Sequence, residues 1–554
     1  MVGLEHSGEQ NPLRRNNKGN KWSAPWRRSS WRWIAGLALL LSLAIAVLGV
    51  VVYRAEPTLR AMVIETLSTR FKCKVELDAF HVSLLQGLQV SGAGLRIFGE
   101  TDPNNYEPGF QPIINVSEFR FHMGIPDLFR SPVHVDTVFV KGLQLNLPPR
   151  EHRSEMNRMG PKGGKIEIIV DKLICDKAQL IVNTLRPGKL PLEFNIENLT
   201  MTTVGPGSPM HFEANLTNPK PLGQIHSSGL FGPWQPDSPR DTPVSGTYSF
   251  DHADLATING LGGILSSTGK YAGILDKIVV DGVTDTPDFR IAISGHPVPL
   301  HTDFHATVDG TSGDTYLQPV KAEILSSWLV ANGSVVRMKD PNGHRVELDV
   351  VMEKGKIDDL LKLAIRTAPP VLTGAIRLQA KFDLSPGTAD VANRLKMTGN
   401  FKVAGAHFTN EKFQEKVDAI SARTQGRPKM AQDIPGIVNS EMNGTFNLSN
   451  ALISFSQLQF RIPGTEVSLT GTYSLDGNEF DFHGKARMDA KLSQMVTGWK
   501  SMLLKSVDPF FNKNGAGTEI PVKVTGTKSE PHFGVDFGHK DDAGHKSTEG
   551  THPE

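Results

Sequence analysis

Cysteine, net charge and catalytic motifs are all scarce in this chain, and each shortage counts against a class of protein. Cys73 and Cys175 are the two cysteines in 554 residues. They are too few for a disulfide framework and lack metal-ligand spacing, which leaves one bridge outside the cytoplasm or two buried thiols. A formal net charge of +1 gives no electrostatic case for nucleic acid as a partner. Catalytic signatures are also missing: the sequence holds no Gly-x-Ser-x-Gly elbow, His-Glu-x-x-His helix, Walker loop or Gly-x-Gly-x-x-Gly unit. The glycines and lysines of residues 159–165 lack P-loop spacing and read as a linker, and Asp536-Phe537-Gly538 has no catalytic loop ahead of it. His539, His545 and His552 lie in a polar tail, too far apart for a built metal site. Paired carboxylates such as Asp358 and Asp359 fall at a helix start, where the dipole accounts for them. No catalytic residue, metal or cofactor is therefore expected, and the chain reads as a non-enzyme.

Long hydrophobic runs are equally rare, with one exception. Residues 34–53, with Ile34 and Tyr53 at the ends, are uncharged and apolar. Twenty residues rising ~1.5 Å each cover the ~30 Å core of a bilayer, so the run predicts one transmembrane helix. Ahead of it Arg14, Arg15, Lys18, Lys21, Arg27, Arg28 and Arg32 face only Glu5 and Glu9, which keeps that side cytoplasmic by the positive-inside rule. Trp22, Trp26, Trp31 and Trp33 fit an interfacial belt. A cleaved signal peptide is the alternative, but the leader is long and no small-x-small site follows, so the run reads as a retained anchor.

What fills the rest is alternation. After a short amphipathic helix over residues 57–71, Cys73, Val75, Leu77 and Ala79 alternate with Lys74, Glu76 and Asp78. The same period returns at Phe119, Phe121 and Met123, at Val138 and Val140, at Leu143 and Leu145, and at Ile166, Ile168 and Val170. Further strands are expected at 346–352, 374–384, 444–448, 467–475, 480–488 and 521–525. Runs bounded by Gly, Pro, Asn or Asp signal serial antiparallel strands with one apolar face, and on the order of 25 of them give a sheet ~120 Å long. Helices are expected at 254–265, 357–363, 411–423 with Asn410 as N-cap, and 492–504. The Pro-, Gly- and Ser-rich region 205–243 predicts long loops, and the first ~20 residues, 150–164 and 538–554 read as non-globular. Residues 278–291 and 522–535 share Gly, Pro and Phe at equal offsets, and Gly246-Thr-Tyr248-Ser echoes Gly471-Thr-Tyr473-Ser, which predicts an internal repeat.

Two ends carry a resemblance. Leu67 to Val75 leading to Val82-Ser-Leu-Leu-Gln-Gly-Leu88, then Ile125-Pro-Asp-Leu128 and Val133 to Leu145, look like one family's N-terminal pattern. Ile462-Pro-Gly464, Val467 to Tyr473, Asp508-Pro509-Phe510, Gly515 to Thr518 and Gly526 to Phe533 are similar to its C-terminal region. The chain thus resembles the AsmA-like proteins of Gram-negative envelopes, relatives of TamB and YhdP, within the repeating β-groove bridge-like lipid transporters. The resemblance covers about half of the chain and brings no catalytic residues.

The expected fold is mainly β: a single transmembrane helix followed by an elongated, curled antiparallel sheet, an open β-groove with a few short covering helices. Its expected regions are a basic cytoplasmic leader 1–33, the helix 34–53, an N-terminal AsmA-like β region 54–204, a central β region 205–370, a C-terminal AsmA-like β region 371–537 and a tail 538–554. The resemblance implies an inner-membrane protein, N-terminus cytoplasmic and bulk periplasmic, that carries phospholipid or another acyl lipid between envelope membranes and supports outer-membrane lipid homeostasis, with a distal outer-membrane or periplasmic protein as a further partner. Candidate lipid-contacting positions are Val75, Leu77, Phe119, Phe121, Val138, Val140, Leu143 and Leu145, whose residue types serve an ordinary core equally well. The alternatives are a non-transporting envelope scaffold that assists outer-membrane protein assembly, and an enzyme acting on envelope lipid or glycan.

Overall fold

The computed structural model describes residues 74–535 apart from 84–87, 99–111, 125–131, 148–167, 184–190, 206, 236–237, 367, 426–437, 476–478, 496–516 and 528–529, together with isolated residues between 39 and 68. The chain divides into two units, Met1–Val63 and Ile64–Glu554. In the first, Leu39, Ser42 and Leu43 are helical, and both leucines are exposed. The rest of the expected span, Ile34 and Tyr53 included, lies outside the described residues. Among the described residues no helix is long and apolar enough to cross a membrane. Pro57, Arg60, Ala61 and Val63 are helical there, as are Ile64, Glu65 and Ser68 in the second unit.

The second unit is one large sheet that curls into a half-barrel. Its first strands are β1 (Val75–Glu76), β2 (Ala79–Ser83), β3 (Leu88–Ile97), β4 (Ile114–Met123), β5 (Val133–Leu147), β6 (Ile168–Val182) and β7 (Leu192–Val204). Next come β8 (Met210–Pro219), β9 (Leu222–Phe231), β10 (Pro243–Asp254), β11 (Leu261–Gly262), β12 (Ile264–Ile274) and β13 (Lys277–Ile291). Then follow β14 (Val298–Val308), β15 (Thr315–Ile324), β16 (Ser327–Met338), β17 (Gly343–Lys356), β18 (Leu372–Leu384) and β19 (Leu395–Phe408). The last are β20 (Glu441–Ser449), β21 (Leu452–Ile462), β22 (Thr465–Ser474), β23 (Glu479–Met488), β24 (Thr518–Thr527) and β25 (Pro531–Val535). Sequence neighbours pair antiparallel almost throughout, because short turns such as Asn450-Ala451, both at positive φ, fold each strand back on the last. The exception is β5 with β6, which run parallel from Val133 opposite Ile168 to Leu147 opposite Val182. Strictly serial antiparallel order was expected. A parallel step needs a long crossover rather than a hairpin, and the 20-residue gap between these two strands meets that need.

Curvature has a local cause. Register shifts interrupt β13 between Thr286 and Phe289, β15 between Leu317 and Val320, β17 between Met352 and Gly355 and β21 between Phe455 and Leu458. A bulge bends the strand and increases its twist, and these strands of 10–15 residues carry such bends along the curled sheet. The outer face is polar, with cross-strand pairs such as Arg345 with Asp383 at 3.0 Å, Lys381 with Asp349 at 3.1 Å and His305 with Asp281 at 2.8 Å.

Three helices accompany the described sheet: α1 (Ile357–Ala364), α2 (Val391–Arg394) and α3 (Glu411–Thr424). Ile357, Leu360 and Leu361 of α1 pack on a cluster of Met352, Leu372, Ile376, Val403 and Ala406, where Val403 is wholly buried. Asp359, also buried, accepts from Ser326 N–H at 3.1 Å and from the Ser326 and Ser327 hydroxyls at 2.8 Å, which ties α1 to the turn between β15 and β16. Asn410 caps α3 by accepting from Phe413 N–H at 3.0 Å, as expected.

Two readings of the sequence are corrected. Residues 254–265 form the end of β10, a single 3₁₀ turn at Leu255–Thr257 and β11, not a helix. Ile258, Leu261 and Leu265 mimic helical spacing, but Leu255 N–H donates to the Gly263 carbonyl and Leu261 and Leu265 pair with neighbouring strands. Residues 205–243 contain β8 and β9 rather than long loops, because Met210, Phe212, Ala214 and Leu216 alternate inward between the Pro- and Gly-rich turns. Of the expected helix 492–504, Leu492–Gln494 is a 3₁₀ turn and most of the remainder lies outside the described residues.

Candidate functional site

Two register rows run unbroken across the sheet on its inner face. The first starts at Val90 and passes Phe121, Val138, Leu173, Met201 and Phe212. It continues through Gly229, Gly246, Tyr271, Val280 and Ala306 to Leu317. From there it crosses Leu348, Phe382, Met397 and Leu448 and ends through Tyr473 and Phe480 at Gly526 and Pro531. The second row lies beside it, from Phe119, Val140, Cys175 and Leu199 to Phe482, Val524 and Phe533. One residue of slip in any pairing would turn a strand's apolar set outward, so this register is what makes the face continuous.

Along this face several large side chains are left half-buried while many smaller ones are covered. Phe119, Phe121, Val138 and Val140 are half-buried on it, as are Phe212, Phe304, Phe382 and Phe455, and Leu143 and Leu145, paired with Val116 and Ile114 farther along, are half-buried too. Row positions such as Val90, Ala214, Ala306, Val350, Ala380 and Leu448 are buried between them, and a cluster of buried hydrophobics sits under α1, next to β17–β19. Val75 and Leu77, at the N-terminal edge, are buried instead, at 6% and 3% exposure. Of the eight sequence candidates, Phe119, Phe121, Val138 and Val140 belong to the two rows, Leu143 and Leu145 pair with Val116 and Ile114, and Val75 and Leu77 are buried.

Sequence reading did not mark the aromatic run in the C-terminal half. Phe446, Phe401, Phe455, Phe482 and Phe480 succeed one another with ring centroids 5.8–6.3 Å apart across β19–β23. The alternation of Phe480 and Phe482 was a visible signal; the contacts between strands were not. Beside this run a concavity of about 950 Å³ is centred on Val350, Ala380, Gly399, Phe446 and Phe455.

No charged side chain lies in either row. No group of three or more His, Cys, Asp or Glu is placed to hold a metal among the described residues. Cys175 sits in the second row as a free thiol, and burial pushes it up to about 11, away from nucleophilic use. Cys73 lies outside the described residues. The sequence repeat is half structural: Gly246 and Tyr248, like Gly471 and Tyr473, are inward on one strand, but 278–291 lies within β13 whereas 522–535 spans β24 and β25. What the arrangement offers is a long, uncharged, half-open apolar surface. No family model, no curated protein and no solved structure matches the chain.

Proposed function

We propose that this protein binds acyl lipids along the inner face of its sheet and carries phospholipid between envelope membranes, as its resemblance to the AsmA-like proteins implies, with residues 34–53 as the inner-membrane anchor. The observation that carries the reading is the continuous register from Val90 to Pro531, uncharged and apolar apart from Tyr271 and Tyr473, along which Phe121, Phe212 and Phe382 are left half-buried. Removing one CH₂ from water is worth ~0.8 kcal/mol, so a two-chain lipid of roughly 30 such groups faces more than ~20 kcal/mol on leaving a bilayer for water. A continuous apolar floor offsets most of that barrier without a catalytic residue or an ion site.

The test is mass spectrometry of lipid bound to the purified full chain, beside a variant with Phe121→Asp, Val140→Asp and Leu145→Asp. The expected result is stoichiometric phospholipid on the wild type and its loss from the variant with the circular dichroism spectrum unchanged. Lipid-free, folded wild type overturns the reading. It would favour a scaffold that receives a partner by strand addition, for which β25 offers an edge with no neighbour beyond it among the described strands.

A further inference from the structure

The inner floor changes character once, between β9 and β14. Ser227, Tyr248, Ser267, Thr284 and Thr302 stand inward on five successive paired strands, and Tyr271 points inward one row away. Elsewhere both register rows are apolar except at Tyr473. The two tyrosines lie across the floor over glycines. A Cβ on Gly269 would come within 2.7 Å of Tyr248 Cε1 and one on Gly282 within 2.6 Å of its hydroxyl, while one on Gly246 would meet the Tyr271 hydroxyl at 2.8 Å. Glycine is required there because the rings share that space with backbone carbonyls of the paired strands, the Ser228 oxygen beside a Cβ on Gly246 and the Asp281 oxygen at 2.5 Å from one on Gly269.

The hydrogen bonds fix the polarity of this belt. Ser227 Oγ donates to the Thr247 carbonyl at 3.0 Å, so in its 2.7 Å contact with Tyr271 the phenol is the donor. Ser267 Oγ donates to the Val283 carbonyl at 2.9 Å, so Tyr248 donates to Ser267 at 3.1 Å. Thr284 and Thr302 bond each other. Both phenol protons are thus committed to the floor, and each tyrosine oxygen keeps lone pairs for an incoming donor. No charged side chain occupies an inward position on β9, β10, β12, β13 or β14, so nothing there neutralises a phosphate.

From this, and resting on the lipid-binding reading above, we infer that the hydroxyl belt is a subsite for the uncharged, hydroxyl-bearing part of a lipid, a glycerol or sugar hydroxyl, held while its acyl chains lie on the flanking apolar floor. Ring faces take the C–H surface of such a group and the phenol oxygens accept from its O–H groups. A lipid without a free hydroxyl crosses the same stretch unheld.

The test loads the full chain from vesicles containing either diacylglycerol or the same lipid with its hydroxyl methylated, and measures retained lipid for wild type and for the double variant Tyr248→Phe, Tyr271→Phe. Phenylalanine keeps both rings over their glycines, and retention of the methyl ether serves as the control for an intact groove. The wild type is expected to retain diacylglycerol about fivefold or more over its methyl ether, one hydrogen bond's worth of affinity. The double variant is expected to lose that preference while still retaining the ether. Free glycerol is expected to leave the bound diacylglycerol in place. Equal retention of the two lipids by the wild type, an unchanged preference in the variant, or displacement by glycerol overturns the subsite and leaves the groove standing. Failure to retain either lipid overturns the groove and the subsite together.

Discussion

Replacing Gly282 by alanine puts the packing of the floor to a quantitative test. The added Cβ would sit 2.6 Å from the Tyr248 hydroxyl, 2.8 Å from Phe304 Cζ and 2.9 Å from the Thr268 carbonyl oxygen, all inside contact distance. The two ring tips can swing, but the carbonyl is part of the β12 ladder and cannot move without disturbing it. Overpacking of this kind costs about 1–3 kcal/mol, whereas alanine in place of a strand glycine otherwise gains roughly 0.5–1 kcal/mol from the unfolded chain. The difference favours a net loss of about 1 kcal/mol. Urea unfolding followed by circular dichroism reads the shift, and a cycle with Phe304→Ala isolates its origin. Removing the Phe304 ring opens one of the three contacts, so the Gly282→Ala loss should shrink by about 0.5 kcal/mol or more in that background. Stabilisation by Gly282→Ala, or strict additivity with Phe304→Ala, would refute the claim that aromatic rings lie over the glycines of the inner face.

Three further outcomes are expected. Asp359→Ala leaves the Ser326 and Ser327 donors without their acceptor beside α1, and should lower stability by about 2–3 kcal/mol in the same urea assay, against less than about 0.5 kcal/mol for the exposed Asp349→Ala. Cys175, with its thiol pushed up to about 11, should alkylate with iodoacetamide at pH 8 more than about 100-fold slower in the folded chain than in urea; equal rates would show that the second register row is not covered there. The hydrogen bond from Arg345 holds the Asp383 carboxyl below its ordinary range. Because the folded value is the lower one, the pair's contribution is complete above the unfolded value near ~4 and disappears as pH falls through the folded value. Arg345→Met should therefore weaken stability by less than about 1 kcal/mol at pH 7 and not at all well below pH 3, measured as urea midpoints.

Much of the sheet was legible in the sequence because a period of two is a local signal. The strands expected at 374–384 and 480–488 appear as Leu372–Leu384 and Glu479–Met488, and the helix expected at 411–423 as Glu411–Thr424 with its Asn410 cap. Local composition misled where turns and strands share an alphabet. Gly223 and Gly229 read as loop residues between prolines, yet they are floor positions of β9 against which β10 closes. The parallel step from β5 to β6 was illegible because strand direction depends on the path of a crossover, not on side-chain alternation. Site candidates in the N-terminal half followed from alternation alone. Tyr248, Tyr271 and Ser227 were invisible as a group, since their contact depends on the register of three strands spanning residues 227–271.

The most direct measurement of the proposed groove is photo-crosslinking to lipid with single benzoyl-phenylalanine substitutions on the two faces of the sheet. Phe119 and Phe121 in β4 and Phe382 in β18 face inward, while Phe139 in β5 and Trp328 in β16 are exposed on the outer face. With the full chain and phospholipid vesicles, lipid adducts are expected at the three inward positions and not at the two outward ones. Adducts at the outward positions alone, at all five alike, or at none would contradict lipid carriage on the inner face.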